Sequence, residues 1–334
     1  MKTNSTMRSD ATRDARPAAP AARRPVDLTA FLICVALSMV WGLQQTAIKA
    51  AAGDVSPMLQ VGLRSGAAAA LLFLANRFWL HESWRFGRVR LRDAVLVGLG
   101  FVGEFLFVSE GLRFTSASHM SVLLYTAPFF AAVGLSIRLP EERLSGLQWA
   151  GLLVAFSGIT VAFGLPALMA GTGLAGSLWI LGDLLGLLSG LSWGLTTIFL
   201  RTTTMNEAPA SLMLFVQLFM GFLILTPLAL LTGQSTLEGT PLAWVSMLFQ
   251  ILIVSFASYL VWNMLLKRYL AARLGVLVFM TPFWGVFFSV LLLDDSIGPT
   301  FVAGSLLMLA GLVLVQAKSL RLPGVFSRRR GSGS

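Results

Sequence analysis

The chain has 334 residues, 56% of them hydrophobic and only 12% charged, with a mean hydropathy of +0.79 and a formal net charge of +10. Soluble domains carry about 25% charged residues, so an ordinary soluble domain and a disordered chain are both excluded. The single cysteine, Cys34, and the two histidines, His81 and His119, exclude a disulfide framework, thiol–metal clusters and His-rich metal sites.

A helix that crosses a bilayer needs about 20 mostly apolar residues. Ten runs qualify: 28–50, 57–76, 94–112, 116–137, 146–165, 179–200, 209–231, 242–266, 274–293 and 299–317. Segments such as Ala67–Leu74 and Leu306–Val315 are apolar on every side. Barrel strands would alternate, so the runs predict helices, whose backbone hydrogen bonds are satisfied internally.

In chain order, residues 1–27 are rich in Arg, Ala and Pro and lack the apolar core and cleavage site of a signal peptide. They read as a disordered cytoplasmic tail. The first run sets small residues Ala30, Cys34, Ser38 and Gly42 four apart, then carries Trp41, Gln44 and Gln45. The second holds Arg64, about a third of the way from the outer face. The third holds Glu104 near mid-membrane, with Ser109 and Glu110 closer to the outside. The fourth begins near His119 and contains Tyr125 and Pro128. The fifth closes a first half at 165, and residues 166–178 connect it to the second.

The sixth run repeats glycine at 182, 186, 190 and 194. Such small-residue ridges let helix backbones approach closely, as static packing or as surfaces that slide. It also carries Trp193, and Asp183 near its start is expected to reach out to the interface. The seventh contains Gln217, the eighth Tyr259, Trp262 and Asn263, and the ninth Pro282 with Phe283 and Trp284. After the tenth, 318–334 reads as a second cytoplasmic tail ending in a cloning remnant, Gly331–Ser334. Trp79, Trp84, Trp149, Trp179 and Trp244 lie near run ends, as in an interfacial belt.

The basic residues orient these runs. With both ends in the cytoplasm, 22 of the 25 Lys and Arg fall inside, Lys49 and Arg113 fall outside, and Arg64 is within a span. That split follows the positive-inside rule, and an odd number of spans would scramble it. It also accounts for the basic balance without nucleic acid.

The halves resemble each other. Trp41-Gly42-Leu43 recurs as Trp193-Gly194-Leu195, and at the same offset of 152 Lys49 meets Arg201 and Pro57 meets Pro209. Thr126-Ala127-Pro128-Phe129 answers Met280-Thr281-Pro282-Phe283 at an offset of 154. Five spans per half is odd, so the second half must enter the membrane inverted. Inverted repeats exchange roles to open a central site to either side in turn.

On these residues the chain resembles the drug/metabolite transporter superfamily, EamA type, over about 28–318, and among its members the YddG-like exporters of aromatic amino acids. The resemblance implies an all-α bundle of ten helices around a central cavity, with repeats over 28–165 and 179–317. It implies a carrier of aromatic or other apolar amino acids and related metabolites in a bacterial inner membrane. A multidrug or other metabolite carrier of the same fold is the alternative. Such a carrier needs no cofactor; its partners are a small-molecule substrate and the bilayer.

The substrate-binding candidates are Trp41, Gln44, Gln45, Arg64, Glu104, Ser109, His119, Tyr125, Trp193, Gln217, Tyr259, Trp262 and Asn263, with Phe129, Phe283 and Trp284 beside them. Few polar groups in an apolar cavity suit an amino acid with a large apolar side chain. Intramembrane charge is costly and usually functional. Arg64 either locks the outer half by pairing with Glu104 or Glu110, or forms with Glu104 a substrate or proton site. Pro128 and Pro282 are expected to kink their helices, as fixed bends or as hinges. Motifs HExxH, GxSxG and GxxxxGK[ST] do not occur, which removes support for metalloprotease, serine hydrolase and ATP-driven pump. A membrane-embedded transferase lacks an acid–base constellation.

Overall fold

The computed structural model describes residues 27–138, 144–165, 174–269, 277–278 and 280–316. The tail readings up to residue 26 and from 318, and residues 166–173 of the connection, lie outside them. The described residues are helical apart from loops and isolated bridge residues, among them the pair Val55 and Leu237. Among the described residues, six helical stretches, Ala117–Arg138 and Pro241–Leu265 each taken as one, are long and apolar enough to cross a membrane, and three shorter ones are also apolar.

Local chemistry sets the helix starts. In α1 (Leu28–Ala50) the Asp27 carboxylate accepts from the Ala30 amide at 2.8 Å. Pro57 opens α2 (Pro57–Ala75), where its missing N–H is harmless. Next come α3 (Leu91–Gly111), α4 (Ala117–Leu124) and α5 (Ala127–Arg138). A Ser145–Gln148 capping box begins α6 (Gly146–Ile159). Then follow α7 (Leu174–Thr202), α8 (Ala210–Leu231) and α9 (Pro241–Leu248). A ten-residue π-helical run, Phe249–Ser258, joins α9 to α10 (Tyr259–Arg268). The last two are α11 (Thr281–Leu293) and α12 (Pro299–Gln316).

The fourth run is a broken helix rather than a bent one. Pro128 cannot donate to the carbonyl of residue 124 and its ring crowds that carbonyl, and α4 ends at Leu124. The Leu123 carbonyl there accepts from both the Thr126 hydroxyl, at 2.7 Å, and the Thr126 amide, at 3.1 Å. Ahead of Pro282 the pattern recurs: residue 280 is a turn, and the Thr281 hydroxyl donates to the Val278 carbonyl at 2.7 Å.

The helices pair across the halves. α1 packs on α11, α7 on α4 and α5, α2 on α8, and α6 on α12, while α3 lies against α7 and α8. Lipid offers no hydrophobic drive for helix association, so close backbone approach takes its place. A Cβ at Gly42 would lie 2.6 Å from the Trp284 Cβ and 2.7 Å from the Gly285 nitrogen. One at Gly182 would lie 2.7 Å from the Thr115 nitrogen, and Gly186, Gly190 and Gly194 continue that seam along Leu123, Thr126 and Phe130. The two small-residue ridges therefore face α11 and α4–α5, not each other. The Trp84 indole donates to the Ser211 hydroxyl at 2.7 Å and packs on Phe215.

Candidate functional site

Polar groups converge where α2, α3, the π-helical run, α10 and the fourth-run break meet. Arg64 is fully buried on α2. Its Nη1 donates to Gln250 Oε1 at 3.3 Å, and its guanidinium lies over the Phe105 ring, 4.6 Å from the centroid. Glu104 and Tyr259 lie within its electrostatic reach. Neither Glu104 nor Glu110 forms an ion pair with it among the described residues. Glu110 instead pairs with Arg113 at 2.7 Å and accepts from Gln234. The lock proposed for Arg64 and Glu110 is thereby excluded, because Glu110 is committed elsewhere.

An aromatic and amide wall completes the site. The Tyr259 hydroxyl donates to Gln44 Oε1 at 3.1 Å. Trp41 donates through its indole N–H to the Ser258 hydroxyl at 2.8 Å and meets Trp262 edge-on at 5.4 Å. Tyr125, at the break, is edge-on to Trp193 at 5.3 Å and lies beside Thr281, the residue before the second proline. Glu104 is also within electrostatic reach of Tyr125 and Tyr259. Arg64, Glu104, Gln44, Trp41, Tyr125, Trp193, Tyr259 and Trp262 are thus brought into one neighbourhood.

Other candidates sit elsewhere or face inward locally. Gln45 is buried and its Oε1 has no partner among the described residues. The Ser109 hydroxyl, the Gln217 amide and the Asn263 amide each donate to a carbonyl of their own helix, at 3.0, 3.1 and 2.8 Å. His119 lies apart, stacked on Phe301, with Nδ1 2.9 Å from Asp183 Oδ1. Asp183 does not reach out to an interface. It is buried and also accepts from the Thr115 hydroxyl.

Two site residues escape a reading based on charge and aromaticity: Gln60 and Gln250. Gln250 Nε2 donates to Gln60 Oε1 at 2.7 Å, bridging α2 and the π-helical run. Gln60 stands one turn before Arg64 on the same helix face, and Gln250 is the one amide between 241 and 262. Those were the available signals. The π geometry around it left no mark in the apolar pattern, although such segments often accompany functional sites.

Both ends of the bundle are tied across the halves. At the Lys49 end the Ser56 amide donates to the Thr236 carbonyl at 3.1 Å and the Glu238 amide to the Asp54 carbonyl at 2.8 Å. There Asp295 accepts from the Ser118 amide at 3.2 Å and from the Ser118 hydroxyl at 3.1 Å. An open cavity of about 440 Å³ lies at this end, lined by Lys49, Ser56, Arg113 and Gln234 among others. At the opposite end the Thr204 hydroxyl donates to Asp93 at 2.7 Å and the Tyr269 hydroxyl to Asp27 at 2.9 Å.

A multi-pass helical bundle with a cation, an acid and amides held at its centre has the build of a membrane transporter. The chain belongs to the EamA-like transporter family, whose model matches residues 28–164 and 180–317. It is similar to the uncharacterized transporter YoaV of Bacillus subtilis, 26% identical over 84% of this chain and 94% of that one. It is equally similar to a "probable amino-acid metabolite efflux pump" of Salmonella typhimurium, 26% identical over 83% of this chain and 91% of that one. The Escherichia coli protein of that description is 25% identical over 85% and 93%. A solved crystal structure shares the fold with a TM-score of 0.63 at 18% identity, covering 88% of this chain and 99% of its own. The family and these relatives are described as transporters rather than enzymes.

Proposed function

We propose that this chain is a secondary transporter of a bacterial inner membrane that exports aromatic or other apolar amino acids and related metabolites by alternating access. The observation that carries the reading is the buried site to which both halves contribute: Arg64, Glu104 and Gln44 from the first, Gln250, Tyr259 and Trp262 from the second. The efflux pumps among its relatives support the direction and the substrate class.

Ten spans in two inverted repeats, 28–165 and 179–317, supply the mechanism. Pairing of α1 with α11 and of α7 with α4–α5 is what an exchange of roles between repeats would need. Switching then breaks the ties at one end and keeps those at the other. The breaks at Pro128 and Pro282 act as hinges, and the glycine seams as the surfaces that slide. Both termini are cytoplasmic and the Lys49 end faces the periplasm, by the placement of basic residues.

The test is uptake by proteoliposomes of a panel of labelled amino acids, with and without a pH gradient. Saturable, competable uptake of large apolar members is expected. Non-saturating flux would indicate a pore, and no flux of any member would contradict the proposal.

A further inference from the structure

Arg64 is oriented by a chain of amides whose directions are dictated. Gln60 Nε2 donates to two carbonyls, Ile48 at 3.0 Å and Val55 at 2.8 Å. Its Oε1 must therefore accept, and Gln250 Nε2 donates to it at 2.7 Å and to the Ser246 hydroxyl at 3.0 Å. Ser246 in turn donates to the Ala47 carbonyl at 2.9 Å. Gln250 is left with Oε1 toward the guanidinium, where it accepts from Nη1 at 3.3 Å. The Phe105 ring covers a face of the guanidinium.

What remains is one edge. Nε and Nη2 are buried and have no hydrogen-bond partner among the described residues. Their N–H groups point side by side, the fork that matches the two oxygens of a carboxylate. Buried charge without a partner is strongly unfavourable, so an unpartnered fork beside a satisfied amide network is suited to receive an anion.

We infer that the Nε/Nη2 edge of Arg64 is the site for the carboxylate of the transported molecule, and that Gln60 and Gln250 are positioning residues that aim it. The ligand class is an organic acid with an apolar or aromatic body. Calling that ligand a substrate rests on the transport reading above; the binding itself does not.

The experiment measures thermal stabilisation of the purified full-length protein in detergent. The probes are L-phenylalanine, 3-phenylpropionate and benzoate, each against its amide, with phenyl phosphate as a further anion. At least one carboxylate is expected to raise the melting temperature, with its amide about 10-fold or more weaker, as loss of a charge-assisted pair requires. Arg64→Lys keeps the charge but removes the fork. Gln250→Glu places a resident carboxylate against Nη1, which neutralises the guanidinium without occupying the fork. Folded Arg64→Lys should show a weakened preference for acid over amide, and folded Gln250→Glu should lose it. Equal response to acid and amide, no response to any carboxylate, response to phenyl phosphate alone, or an unchanged preference in Arg64→Lys would overturn the inference. Proteoliposomes separate the two claims. Amides carried as well as acids would leave a transporter without a carboxylate site. Acids bound but never carried would leave the site and remove the transporter.

Discussion

Arg64 is the residue on which the account turns, because its surroundings are polar without being neutralising. Gln250, Phe105 and Gln60 hold it in place, yet Glu104 acts on it only at a distance. Removing both charges, as Arg64→Met with Glu104→Met, leaves no unpaired ion. The double variant is expected to melt at or above the wild-type temperature, since apolar residues often replace buried ions without loss. It should also lose saturable transport of zwitterions. Wild-type transport by the folded double variant would show that the pair never meets substrate. Tyr259→Phe makes a smaller test. It leaves Gln44 Oε1 without the hydroxyl donor, which should cost about 1–3 kcal/mol, read as a lowered melting temperature.

Among the elements, the two proline breaks carry the mechanical argument. Alanine at 128 and at 282 restores an amide donor to each break and removes the ring that crowds the preceding turn. The Pro128→Ala and Pro282→Ala variants should melt no lower than wild type while turning over more slowly in proteoliposomes. Undiminished turnover in both would leave the breaks as fixed features. The seams are less forgiving. Gly42→Val would drive a side chain into the α11 backbone at Trp284 and Gly285. We expect loss of the monodisperse protein on size-exclusion chromatography, because backbone cannot give way as a flexible side chain can. Prolines and glycines were legible in the sequence, since their chemistry is local. The break itself was not, because a bend and a gap have the same apolar signature. The π-helical run from Phe249 to Ser258 was also hidden, since hydropathy does not report hydrogen-bond register.

At the scale of the molecule, apolar runs and their flanking charges made the helical membrane character readable. Which helix pairs with which was only partly so. Matched offsets suggested two related halves, but the pairing of α1 with α11 and of α7 with α4–α5 needs coordinates. Site residues were legible where they were charged or aromatic, and illegible where they were amides serving a distant cation, as with Gln60 and Gln250. His119 lies apart from that neighbourhood for the converse reason: a polar residue near a span end pairs with whatever acid the fold delivers, here Asp183. The proposed orientation has its own check. In a Cys34-free background, cysteine at Ser235 should react with an impermeant maleimide in intact cells, and cysteine at Ser83 only after lysis; both positions are exposed. The reverse pattern would invert the molecule.

The central claim is that one buried site is offered to the two sides in turn. Counterflow tests it most directly. Proteoliposomes loaded with unlabelled amino acid should take up the labelled one transiently above its equilibrium level, because unlabelled molecules occupy the inward-facing site and keep the labelled ones from leaving. Labelled substrate that enters at the same rate whatever the interior holds, and never overshoots, would contradict it.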